Sequence, residues 1–111
     1  MTVESNKLGQ VLVLSPVGRL DAETAPGLQD QIVGHIADGE TTMLLDLSDL
    51  TYVSSAGLRA ILIAAKKLQE LDGRFALCGL SDPVAEVFSV SGFDAILTIH
   101  VDQPTALTAL S

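Results

Sequence analysis

The chain has 111 residues, with six Lys+Arg against fourteen Asp+Glu and a formal net charge of −8. That balance argues against a direct nucleic-acid binder, which needs a basic footprint to displace phosphate counterions. Its 48% hydrophobic content implies a packed globule rather than a disordered acidic tail.

A chain of this length buries about two-thirds of the surface it would expose unfolded, so it needs no disulfide or structural metal. The single cysteine, Cys78, permits no intrachain bridge. Apolar runs such as Ala60 to Ala65 fall far short of the ~20 residues that span a bilayer. The first residues lack a basic start followed by an apolar stretch. A cytoplasmic protein without membrane insertion is expected.

In chain order, Val3 to Ser5 reads as a short edge strand and Leu8-Gly9-Gln10 as a turn. Val11 to Val17 is apolar on both faces, the pattern of an internal strand, and Gly18 is expected to close it. Thr24 is the expected N-cap of a helix with Pro26 in its first turn. Ala25, Leu28, Ile32 and Ile36 form its apolar face, and Gly39 suits a left-handed C-terminal cap. Thr42 to Leu47 is a second buried strand, so the unit reads as a β-α-β crossover that favours parallel pairing.

Gly57 to Leu71 has helical period again, with Leu58, Ile61, Leu62, Ala65 and Leu68 on one face and Gly73 at its end. Arg74 to Cys78 is a third buried strand. Ser81 or Asp82 caps a shorter helix whose apolar side is Val84, Val87, Phe88 and Val90, stopped by Gly92. Ala95 to Val101 reads as a last strand and Asp102 to Leu110 as a closing helix. The order β-β-α-β-α-β-α-β-α predicts a single α/β domain over residues 1–111. Its sheet would be mixed and mostly parallel, of roughly four to five strands, with about four helices packed against it.

The most informative stretch is Asp46-Leu47-Ser48-Asp49-Leu50-Thr51-Tyr52-Val53-Ser54-Ser55-Ala56-Gly57-Leu58-Arg59. A buried strand ends, a short polar link follows, and two serines precede a helix. Helix starts carry free backbone N–H groups and a partial positive charge, which suit an anion. A phosphate on either serine would be tolerated there. Simple capping of an N–H by Ser54 or Ser55 is the alternative, worth about 0.5–2 kcal/mol relative to Ala.

This segment resembles the signature of the STAS domain, and more closely that of the bacterial anti-sigma factor antagonists: a strand ending in Asp-Leu, a linker, then Asp-Ser-Ser/Thr-Gly-Leu opening a helix. Gly18-Arg19-Leu20-Asp21 with Thr24-Ala25 resembles the family's early turn, Leu71-Asp72-Gly73-Arg74 its helix-to-strand turn, and Val90-Ser91-Gly92-Phe93-Asp94 its late turn. Aligning Gly57-Leu58 puts Ser55 on the phosphorylated serine, with Ser54 as the alternative acceptor. Ser54 replaces the family's Asp, Ala56 its next Ser/Thr, and Arg59 a frequent Gly.

The resemblance implies a partner-switching cycle. The unphosphorylated antagonist binds an anti-sigma factor that is also a serine-protein kinase, which frees the sigma factor. Phosphorylation weakens the complex, and a PP2C-type phosphatase resets it. The expected partner surface comprises Asp21, Ser54, Ala56, Gly57, Leu58, Arg59 and Ile63. Ile63 is expected as an exposed apolar residue within the polar stripe Arg59, Lys66, Lys67 and Glu70. A sigma-independent partner switch, or a module of a lipid-transport ABC system, is the alternative setting for the same fold. A small enzyme or nucleotide-binding module is the weakest reading.

Other residues are expected to be structural. Cys78 lies in an apolar strand. His35 and His100 have no ligand spacing between them. Asp46 and Asp49 read as solvated strand-end residues, and Tyr52 as strand-end packing. No phosphate-binding glycine loop occurs, and Ser55 has no base beside it in sequence. No cofactor, metal or catalytic residue is expected.

Overall fold

The computed structural model describes residues 1–111. Strand β1 (Thr2–Leu8) runs antiparallel to β2 (Val11–Leu20). Helix α1 (Ala25–Ala37) then crosses to β3 (Thr42–Asp46), which pairs in parallel with β2. Next come β4 (Leu50–Val53), α2 (Ser55–Glu70), β5 (Arg74–Cys78), α3 (Asp82–Val90), a 3-10 turn (Phe93–Ala95), β6 (Ile99–His100) and α4 (Gln103–Leu110). The sheet is six-stranded, in the order β1-β2-β3-β5-β6, with β4 paired to β2. Every pairing except β1–β2 is parallel. This is a single α/β domain with four helices.

The internal strands are apolar on both faces because both faces are covered. Leu12, Leu14, Met43 and Leu45 point into one core with Leu28 and Ile32 of α1, Ile61 and Leu68 of α2, and Phe88 of α3. The alternate residues Val11, Val13, Leu44, Ala76 and Cys78 pack on Ala106 and Leu110 of α4. Side chains alternate along a strand, so one five-residue run serves two cores. Arg74 fastens the second layer: its guanidinium donates to the carbonyls of Leu110 at 2.9 Å and Ala109 at 2.6 Å.

Several local expectations are corrected. The strand count exceeds the expected four to five because Leu50–Val53, read as a polar link, pairs with Gly18–Leu20. Gly18 does not close β2. It takes φ +102° at a register shift, and the strand continues to Leu20. The first strand runs the full length of Thr2–Leu8.

The expected strand Ala95–Val101 shrinks to Ile99–His100. The amides of Ala95, Ile96 and Leu97 turn back to carbonyls of Gly92 and Phe93, which removes them from the ladder. The left-handed residue after α2 is Asp72, at φ 54°. Gly73 serves by size instead: a Cβ there would meet the Thr41 carbonyl oxygen at 2.5 Å.

Candidate functional site

The site is built where β2 and β4 end together. The Gly18 amide donates to the Asp49 carbonyl at 3.0 Å, and the Thr51 hydroxyl donates to the Gly18 carbonyl at 3.0 Å. The Ser54 amide donates to the Leu20 carbonyl at 2.9 Å. These bonds hold the Leu20–Asp21 turn against the serine pair.

The two serines have separate roles. Ser54 is the N-cap of α2, with extended backbone, and its hydroxyl accepts the Gly57 amide at 3.3 Å. Ser55 is the first helical residue and is exposed, and its hydroxyl makes no hydrogen bond within the chain. The first-turn amides of Ser55 and Ala56 have no acceptor in the protein, as a helix start dictates.

Gly57 is buried because it faces the turn: a Cβ on it would lie 2.8 Å from the Leu20 carbonyl oxygen. Ala56 packs against the main core and Leu58 is part of it. Arg59 is exposed one turn after Ser55. Ile63, expected to be exposed, is half-buried. A helical residue flanked by the core positions Ala60, Ile61 and Ala64 shares part of their cover.

Asp21 organises the start of α1. Its Oδ1 accepts the amides of Glu23 at 3.0 Å and Thr24 at 3.2 Å. Those amide bonds, the Thr24 one foremost, hold its carboxyl below the usual carboxylate range, with the Thr24 hydroxyl and Arg19 adding to the effect against partial desolvation. Thr24 occupies the N-cap position without capping through its side chain. Its backbone is already helical, at φ −96° and ψ −23°, and its hydroxyl instead donates to the Arg19 carbonyl at 2.8 Å. Tyr52, expected to pack at the strand end, is 40% exposed. Arg19 stacks over its ring at 4.1 Å from the centroid.

A groove of about 470 Å³ opens beside the serine, lined by Ser55, Leu58, Pro83, Glu86, Val87, Val90 and Ser91. Sequence reasoning missed the contribution of α3. Val90, expected on that helix's buried side, is 83% exposed. The signal was a second apolar row: Val84 and Phe88 fill the core, whereas Pro83, Val87 and Val90 recur at spacings of three to four on the adjacent face.

Outside this region, the Cys78 thiol is pushed up to about 12 by burial first and by the nearby Asp46 and Asp102 carboxylates second. A neutral thiol in the core is unreactive. Asp46 accepts the Ser48 amide at 3.0 Å and the Gln103 side-chain amide at 2.8 Å, so it ties the β3 end to α4.

An α/β sheet with three helices on one face and one on the other, and a capped serine pair opening α2, defines a class. The chain belongs to the STAS domain family, which matches it over residues 2–106. Within that family its relatives are anti-sigma factor antagonists. It is 34% identical over 109 residues, 98% of this chain and 94% of the relative, to BtrV of Bordetella bronchiseptica, provisionally named an anti-sigma factor antagonist. It is 29% identical over 82 residues, 74% of this chain and 72% of the relative, to the anti-sigma-B factor antagonist of Listeria monocytogenes. It superposes with a TM-score of 0.91 on the crystal structure of an anti-sigma factor antagonist from Mycobacterium paratuberculosis, at 26% identity, with 98% of this chain and 92% of that one covered. No helix is long and apolar enough to cross a membrane.

Proposed function

We propose that this chain is an anti-sigma factor antagonist that works by partner switching, with Ser55 as the phosphorylated residue. The unphosphorylated form binds an anti-sigma factor that is also a serine-protein kinase, and so releases the sigma factor. The kinase transfers the γ-phosphoryl group of ATP to the Ser55 oxygen. ADP leaves, and the hydroxyl proton passes to a base on the kinase. A PP2C-type phosphatase hydrolyses the ester with water, which releases inorganic phosphate and restores the Ser55 hydroxyl; the chain contributes no catalytic group of its own.

The observation that carries this reading is the division of labour between the serines. Ser54 is committed to capping α2, whereas the Ser55 hydroxyl is exposed and unbonded at the rim of an apolar groove. A partner that fills the groove with apolar side chains desolvates that hydroxyl. Phosphorylation then adds about −1.5 to −2 charge at the edge of the contact. Glu86 already lines the same groove, so nothing on α3 offsets the added charge. Shifting a complex from mostly bound to mostly free takes about 5.5 kcal/mol of differential affinity, and a charge desolvated against a partner surface that does not pair it supplies that order. The fold tolerates the phosphate because the first-turn amides of α2 face it.

The test is incubation of the full chain with its cognate kinase and ATP, followed by peptide mass spectrometry and a pull-down before and after phosphatase treatment. Phosphate on Ser55 and loss of capture on phosphorylation are expected. Phosphate confined to Ser54 or another residue, or capture that ignores phosphorylation, overturns the reading.

A further inference from the structure

We infer that Arg59 is the internal counter-ion of a phosphate on Ser55, so that phosphorylation withdraws this cation from the partner surface as well as adding negative charge to it. The inference rests on Ser55 being the acceptor and names the regulation of that same site.

The argument begins with spacing. Ser55 and Arg59 are four residues apart on α2, both exposed, and side chains at that spacing lie on one face. Helical side chains lean toward the N-terminus, so Arg59 covers the turn that carries Ser55. An anionic residue N-terminal to its cation at this spacing is the favoured order.

The remaining cations are committed or distant. Lys7 pairs with Glu40. Arg19 stacks on Tyr52 and approaches Asp21 at 3.9 Å. Arg74 holds the end of α4. Lys66 and Lys67 lie about 16–18 Å from Ser55 along the helix axis. Arg59 has no acidic partner in this structure and makes no hydrogen bond through its side chain. A guanidinium also binds phosphate through two parallel N–H bonds, which a lysine cannot do.

The consequence is a switch with two effects. Before phosphorylation, Arg59 is a free cation on the surface of an acidic protein, open to an acidic group of the kinase. Afterwards it turns back onto the phosphate, and that contact is lost while a new charge appears at the groove.

The test installs phosphoserine at position 55 of the full chain by amber suppression, so it needs no kinase. Phosphorus NMR then follows the second ionisation of the phosphate, ordinarily near pH 6, in the wild-type background and in Arg59→Ala, Arg59→Gln and Arg59→Lys. The expected midpoint is lower with Arg59 than with Ala or Gln by about 0.3 pH unit or more, and Lys recovers part of that shift. Midpoints that agree to within less than about 0.3 unit overturn the inference. Two neutral variants, with unchanged melting of their unphosphorylated forms, exclude misfolding as the cause. The kinase experiment separately decides the acceptor: phosphate elsewhere overturns the Ser55 reading, whereas equal midpoints overturn the coupling whatever residue the kinase selects.

Discussion

Gly57 lies so close to Leu20 that a Cβ on it would sit 2.8 Å from the Leu20 carbonyl oxygen and 2.8 Å from its Cγ. That carbonyl is also the acceptor of the Ser54 amide, so the glycine and the cap are set by one backbone group. Gly57→Ala therefore must move the start of α2 or the end of β2. Backbone cannot yield as a flexible side chain does, and overpacking of this kind costs about 1–3 kcal/mol. Urea denaturation is expected to report that loss, together with reduced phosphorylation at Ser55 because the helix start is displaced. Wild-type stability in the variant would mean that the approach relaxes freely.

The serine pair predicts a separation of effects. Ser54→Ala removes the acceptor of the Gly57 amide and is expected to cost about 1 kcal/mol. Ser55→Ala removes an exposed hydroxyl with no bond in the chain, and its stability is expected to stay within about 0.5 kcal/mol of wild type. Phosphate uptake is expected to divide the other way, lost in Ser55→Ala and retained in Ser54→Ala. Denaturation curves and mass spectrometry on the same two variants check both halves.

The layers were legible in the sequence because they rest on periodicity. The runs Val11–Leu14, Met43–Leu45 and Ala76–Cys78 are apolar at every position, and that implies cover on both faces. The pieces that were not legible depend on what the chain meets elsewhere. Leu50-Thr51-Tyr52-Val53 has only its two end residues buried, and it becomes a strand because β2 carries on past Gly18 to receive it. Ala95 to Val101 has the composition of a strand, but Gly92 in a left-handed conformation turns the chain back on itself first. The start of α2 at the serine pair came from the local motif. The groove did not, because it needs α3 laid beside α2, a relation between residues some thirty positions apart.

Asp21 makes stability depend on pH in a defined direction. Its folded-state carboxyl titrates below the ordinary range, chiefly because the Thr24 amide is hydrogen-bonded to the charged form. Asp21→Asn keeps an acceptor oxygen but loses the charge. The unfolded carboxyl titrates at about 3.9. The stabilisation is therefore fully present above that value and is lost as pH falls through the lower folded value. Melting temperatures measured from about pH 7 down to about pH 2 are expected to show wild type above the variant at neutral pH, with the gap closing in acid. Asp102, also held low by its bonds with Thr105, is present in both proteins and cancels. A gap that does not change with pH would assign the role of Asp21 to shape alone.

Two apolar residues test which surface the proposed kinase partner grips. Val90 stands 83% exposed on the α3 side of the groove, whereas Ile63 is half-buried on the polar stripe of α2 and lies outside that groove. Neither belongs to a buried core cluster, so an acidic residue at Val90 is expected to leave stability within about 0.5 kcal/mol. The half-covered Ile63 is expected to lose somewhat more without unfolding the domain. A partner that seats an apolar side chain between α2 and α3 is expected to lose tenfold or more in affinity with Val90→Asp, about 1.4 kcal/mol. Ile63→Asp is expected to weaken binding as well if the contact extends along α2. Calorimetric titration of each variant with the kinase measures both. Wild-type affinity in Val90→Asp would remove the groove from the contact, and wild-type affinity in Ile63→Asp would confine the contact to the serine end of α2.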